Sequence, residues 1–270
     1  MNQPSNPLSF NLGLIPGVTS LFAEGELPQR LASARAHGFT GVEGSAPADP
    51  GMLRRLLEDH GMQFVCMSLG RGSTEAEALG TAALPGRQAV FREALLRGID
   101  AAAAMSCTRI HPLGGLVPPQ EDRATCQAIY IDNLRVACEE AGRAGIEVLI
   151  EPICAVRQPR YILQTHALAI EIIRSLGAAN LRLMADMFHA HMSGESTAEI
   201  ARLHADVIGL MQVADAPVRR QPSLDDERLR ATLRALAANQ WQGWISAEYV
   251  PEGELDESLA WTGQLGQQAT

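Results

Sequence analysis

Four polar residues stand near the C-terminal ends of four apolar runs in the second half of the chain. They are Glu151 in IEVLIEP, Asp186 in LRLMAD, Gln212 in VIGLMQ and Glu248 in GWISAE. Three carboxylates and an amide oxygen, brought together, suit a hard or borderline divalent cation such as Mn²⁺, Mg²⁺, Co²⁺ or Zn²⁺. Glu151 and Glu248 also form a carboxylate pair able to move protons on either side of a substrate. The intervals between the four are 35, 26 and 36 residues. Each is about one strand-plus-helix unit or more, so the groups come from different strands and can converge. Asp186 begins a D-x-x-H with His189, Glu43 ends a run in GVEGS, and His111 ends another in RIHPLGG. His111 and Glu43 are candidates to line the same pocket, whereas His191 is expected to face away.

The elements that must position these groups are readable from periodicity. Short apolar runs at 8–15, 40–45, 62–69, 107–114, 146–153, 181–188, 207–215 and 243–250 predict eight strands. Between them lie stretches with apolar residues at helical spacing, several closing on Gly as helix C-caps do. Alternation of this kind predicts a (β/α)8 TIM barrel, a single domain over residues 1–270. Active sites of such barrels are built at the C-terminal ends of the strands, where the four polar residues fall. A doubly wound open sheet would carry a Gly-rich phosphate turn after its first strand, and NLGLIPG is a poor match. The longest irregular stretch, residues 70–86 after the third strand, is a candidate lid.

Composition excludes several chemistries. All 22 basic residues are arginine, so mechanisms that need a lysine Schiff base or a P-loop lysine are absent. A net charge of −9 disfavours wrapping a nucleic acid backbone. The five cysteines show no C-x-x-C spacing and read as reduced thiols. No run is long and apolar enough for a membrane span, and no signal-peptide pattern opens the chain. These features predict a cytoplasmic protein that acts on a small molecule.

The segments FNLGL, GFTGVEGSAP, LPGRQAVFREAL, DNLRVACEEAG, LIEPI, DMFHAHMSGE, IGLMQVADAPVR and GWISAEYVP resemble the xylose isomerase-like TIM-barrel superfamily of sugar isomerases and epimerases. Within it the chain looks most like the hydroxypyruvate isomerase and 2-oxo-tetronate isomerase branch. The resemblance runs from the first strand to the last. It implies that Glu151, Asp186, Gln212 and Glu248 are divalent-metal ligands, that Glu151 and Glu248 are also the acid/base pair, and that His189 and Arg219 hold substrate oxygens. It further implies a homodimer or higher homo-oligomer. The chain departs from the branch at Cys154, where the family usually has Asn, and at RRQPSLDD, where close relatives carry a Pro-Gly-x-Gly-Glu run.

The residues fit an isomerase of small hydroxy-oxo acids or sugars. A carbonyl moves along a carbon chain when one carboxylate removes a proton and another returns one to the neighbouring carbon. For an acid substrate, the planar fork of an Arg such as Arg219 is a natural partner for the carboxylate. A metal-dependent dehydratase on the same scaffold and a catalytically degenerate sugar-acid binding protein are the alternatives. An abasic-site endonuclease would need more His ligands and a basic groove.

Overall fold

The protein was analysed as a computed structural model, which describes residues 6–12, 21–223 and 225–265. Its strands are β1 (Leu8–Asn11), β2 (Phe39–Ser45), β3 (Gln63–Leu69), β4 (Arg109–Pro112), β5 (Glu147–Ile150), β6 (Leu181–Asp186), β7 (Ile208–Val213) and β8 (Trp244–Ala247). Every neighbouring pair is parallel, and β8 returns to β1, so the sheet closes into one barrel in chain order. Each of the eight predicted runs coincides with one of these strands, β2 beginning one residue ahead of its run. Residues 13–15 of the first run lie outside the described residues.

The connections are helical: α1 (Leu27–Ala36), α2 (Pro50–Asp59), α3 (Gln88–Ala104), α4 (Arg123–Arg143), α5 (His166–Leu176), α6 (Met187–Met192), α7 (Thr197–His204) and α8 (Glu227–Ala238). A short α9 (Leu255–Ser258) follows β8. Their ends obey local chemistry. Asp49, Asp122, Thr165, Ser196 and Asp226 each accept a backbone N–H of the first turn. Gly177 ends α5 in the left-handed conformation that glycine adopts without steric cost. The main core fills the layer between strands and helices. A separate buried group of Val65, Cys66, Leu149, Met184, Leu210 and Trp244 comes from β3, β5, β6, β7 and β8.

Residues 70–86 differ from a loose lid. Ala82, Ala83 and Leu84 are buried, and Ala83 N–H donates to the Gly114 carbonyl (2.8 Å). Asn133 Nδ2, from α4, donates to the Ala82 carbonyl (2.7 Å). Gly80, at φ +106°, bridges to Gly114, and a Cβ there would lie 2.0 Å from the Leu113 carbonyl oxygen. The stretch is therefore stapled to the segment after β4. Among the described residues no helix is long and apolar enough to cross a membrane.

Candidate active site

The strand ends carry the predicted groups to one place. Asp186 is the last residue of β6, and Gln212 pairs with it in register on β7. Ser246 on β8 pairs in turn with Gln212, two residues before Glu248. Glu151 directly follows β5, His111 is in β4, and Glu43 is in β2. Glu43, His111, Glu151, His189, Gln212, Arg219 and Glu248 all line one cavity of about 260 Å³. That is just under the roughly 300 Å³ at which drug-sized sites begin, so the space suits a small ligand.

Asp186 does not line the cavity. It is fully buried, and its Oδ2 accepts from Arg219 Nη2 at 2.7 Å. Its Oδ1 caps α6 by accepting from the Phe188 (2.7 Å) and His189 (3.3 Å) backbone N–H groups. This cap explains why the run predicted to extend to 188 stops at Asp186. It also explains the D-x-x-H, because His189 is placed in the first turn of the capped helix. His189 Nε2 lies 3.8 Å from both Glu151 Oε1 and Asp186 Oδ2.

Arg219 is the charge partner of the site. Its Nε donates to the Glu248 carbonyl (3.1 Å), and its Nη2 also reaches Glu248 Oε1 (3.2 Å). Its Nη1 lies 3.2 Å from His189 Nε2, which must be the acceptor because a guanidinium has only donors. The guanidinium stacks over Phe188, 4.9 Å from the ring centre. On the far side of His189, Nδ1 faces Cys154 Sγ at 3.2 Å. Cys154 therefore packs against a pocket-lining imidazole.

Protonation follows from burial. Burial pushes the Glu151 carboxyl well above its usual range, and the charges of Glu248 and Asp186 add to this. Burial likewise raises Glu248 to about 8, against the pull of Arg219. Burial raises Glu43 too, against hydrogen bonds from Ser246 and Gln212. Burial would raise Asp186, but the charge and hydrogen bond of Arg219, together with those of His189, outweigh it and hold the carboxyl below its usual value. Burial pushes His111 down to about 3 and His189 to about 4, so both rings are neutral at pH 7.

The donor set fits a divalent cation. Gln212 Nε2 donates to Glu43 Oε1 (3.2 Å), which turns Gln212 Oε1 elsewhere. Gln212 Oε1 and Glu248 Oε2 are buried oxygens that meet no donor among the described residues. Glu151, Asp186 and His189 each offer a ligand atom within 4.8 Å of the others. His189 thus joins the carboxylates more closely than the spacing of strand ends suggested. The cavity also takes in Asn11, Ser45, Ser68, Arg71, Arg157 and Gln158, which sequence reasoning did not single out. Arg71 could have been found: it falls two residues past the end of β3, on the functional face. His191 is exposed and turns to Arg228, as expected.

Comparison with known proteins bears on the fold and the family. A protein of Homo sapiens is 35% identical over 265 residues, covering 94% of each chain. The 2-oxo-tetronate isomerase of Cupriavidus necator is 32% identical over 246 residues, 90% of this chain and 95% of its own. The hydroxypyruvate isomerase of Escherichia coli is 29% identical over 247 residues, with 90% and 95% covered. Among solved structures, an AP endonuclease, family 2, from Brucella melitensis superposes with a TM-score of 0.86 at 25% identity, over 96% of this chain and 98% of that one. An L-ribulose 3-epimerase shares the fold with a TM-score of 0.77 at 17% identity, over 98% and 94%. The family model for xylose isomerase-like TIM barrels matches residues 31–265, and this chain belongs to that family.

Proposed function

We propose that the protein is an aldose–ketose isomerase of a small hydroxy-oxo acid, acting by proton transfer between adjacent carbons with Glu151 and Glu248 as the acid/base pair. The observation that carries this reading is the convergence of those two carboxyls on one small cavity, with Glu248 Oε2 meeting no donor among the described residues. The isomerase names of the Cupriavidus necator and Escherichia coli relatives support the reaction class.

In this reading one carboxylate removes the C–H proton of the hydroxyl-bearing carbon. The electron pair of that bond forms the C=C of an enediolate, and the neighbouring carbonyl oxygen takes the negative charge. The other carboxyl then gives its proton to the former carbonyl carbon, while the hydroxyl proton passes between the two adjacent oxygens. The raised values of Glu151 and Glu248 suit the roles, since repulsion within the pair favours one protonated and one ionised member. Glu151, Asp186, Gln212 and Glu248, with His189 beside them, would hold a divalent cation. When bound, the cation supplies electrostatic stabilisation of the charge that gathers on the substrate oxygens. His189 and Arg219 face the same oxygens. Arg219 also keeps Asp186 and Glu248 together by neutralising them.

The test is deuterium exchange followed by NMR, in D2O with Mg²⁺, using hydroxypyruvate and four-carbon 2-oxo acids. Wild type is compared with Glu151→Gln and Glu248→Gln. Exchange at the carbon next to the carbonyl, lost in both variants and accompanied by product of unchanged mass, supports the isomerase. A product lighter by one water supports a dehydratase instead. Absence of exchange with every acid, under confirmed metal loading, removes the proposal.

A further inference from the structure

We infer that Arg71 receives the carboxylate of the substrate and so selects acids over neutral sugars, while Arg219 serves the reacting end. The inference rests on the hydroxy-oxo acid reading of the cavity and deepens it.

Three arginines line the cavity: Arg71, Arg157 and Arg219. Arg219 is already committed. Its Nε, Nη1 and Nη2 face the Glu248 carbonyl, His189 Nε2, and the Asp186 and Glu248 carboxylates. A substrate carboxylate that captured this fork would strip the counter-ion from Asp186, which is fully buried. Leaving a buried charge uncompensated is costly.

Arg71 has the opposite circumstances. It follows β3 by two residues, and β3 and β7 are four strands apart in a closed eight-stranded ring. Arg71 and the β7 loop that carries Arg219 therefore flank the mouth from opposite sides. Arg71 Nη1 donates to the Ala78 carbonyl (2.8 Å), and no carboxylate among the described residues pairs with its guanidinium. Its charge is nonetheless felt by Tyr161 and by His111 on the neighbouring β4, and the charge of Glu151 reaches it in turn. The arm starts from a stapled backbone. Gly72 N–H donates to the Glu77 carbonyl (3.0 Å), Arg87 pairs with Glu77, and Gly80 bridges to Gly114. A guanidinium held this way loses little freedom on binding an anion.

Electrostatics favours the same orientation. Asp186 is matched by Arg219, and in the isomerase reading one of Glu151 and Glu248 stays ionised, so an incoming carboxylate is repelled from that pair. With its carboxylate on Arg71, a three- or four-carbon acid would present its hydroxyl and carbonyl carbons to Glu151 and Glu248. Arg157, on the loop after β5, is exposed and acts on Cys154 and His189 rather than on Glu151 or His111.

The experiment measures binding and turnover separately. Calorimetry gives Kd for glycerate, a non-isomerising 2-hydroxy acid, in wild type, Arg71→Gln, Arg71→Lys and Arg157→Gln. Steady-state kinetics gives KM and kcat for hydroxypyruvate and for neutral dihydroxyacetone. The expected result is a rise of about 10- to 100-fold in Kd and KM for the acids in Arg71→Gln, as for loss of a charge-assisted hydrogen bond. The effect on kcat should be much smaller, neutral dihydroxyacetone should show no such penalty, and Arg71→Lys should recover part of the loss. Unchanged acid affinity in Arg71→Gln, an equal loss for the neutral compound, or a larger loss in Arg157→Gln would each overturn the inference. If wild type binds glycerate without turning over any acid, the isomerase reading fails while the Kd values still decide the role of Arg71. If wild type binds no acid, the inference fails as well.

Discussion

Glu195 and Glu248 are the same residue type, both largely covered by protein, with opposite properties. Glu195 stands at the start of α5, where its oxygens accept from the His166 and Ala167 backbone N–H groups (each 2.8 Å) and face the His166 ring at 3.0 Å. Burial would raise its carboxyl, but these hydrogen bonds outweigh burial and hold it below the usual range. Glu248 has Arg219 on one oxygen and, among the described residues, no donor on the other, and burial raises it to about 8. Native proteins satisfy nearly all buried polar atoms, so an oxygen left over in a cavity is a place kept for something else. Glu195 clips the segment between α6 and α7 to the start of α5; Glu248 leaves one oxygen unmatched among the described residues.

The contrast can be broken or sharpened by mutation. The largest effect is expected at Glu248→Gln: kcat should fall by about 10²- to 10⁴-fold, the usual contribution of a general acid or base, while the folded protein is no less stable. Steady-state kinetics beside urea denaturation would read both, and a stability loss matching the activity loss would erase the distinction. Next comes Asp186→Asn, which leaves Arg219 without its fully buried partner. Breaking such a pair should cost about 3–5 kcal/mol in urea denaturation. A third effect is ligation: Mg²⁺ or Mn²⁺ at about 100 times its Kd should stabilise wild type by about 2.7 kcal/mol. That gain should vanish with chelator and in the Glu151→Gln, Glu248→Gln double variant, as read by thermal melting.

The smallest effect is at Glu195→Gln, with a stability loss of about 1–3 kcal/mol at pH 7 and little change in kcat. Here the sign with pH is fixed. A carboxyl whose folded value is depressed stabilises above its unfolded value and loses that contribution as pH falls through the folded one. The gap between wild type and Glu195→Gln should thus be full above about pH 5. It should close as the pH drops from the ordinary Glu value of about 4.3 through the lower folded value. A gap that widened in acid would contradict the clip.

Strand existence was legible because each barrel strand is a continuous apolar run, and the polar residue closing the run marks the functional end. Asp186, Gln212, Glu151 and Glu248 were visible for that reason. The run to 188 takes Met187 and Phe188 as the end of a strand, since their apolar side chains hide a helix that depends on the Asp186 cap. Residues 70–86 looked loose because of their Gly, Ser and Thr content, yet Ala82, Ala83 and Leu84 are buried beneath them. The partners of Glu43 were not legible at all. Gln212 and Ser246 reach it from 169 and 203 residues away, and no local pattern encodes such a contact. Arg71 lies in an irregular stretch, where no periodicity marks which side chains face the cavity.

The stapling of that stretch has a consequence for how ligands are sorted. Gly80, Ala82 and Ala83, bonded to Leu113, Gly114 and α4, fix the backbone behind Leu79 and Leu113, the wall residues of the cavity on that side, before any molecule arrives. Compounds differing on the β3 side of the mouth are then accepted or refused by a surface that does not yield. Altering the range of accepted molecules on that side would call for re-carving Leu79 and Leu113, because the backbone behind them is already tied down by hydrogen bonds.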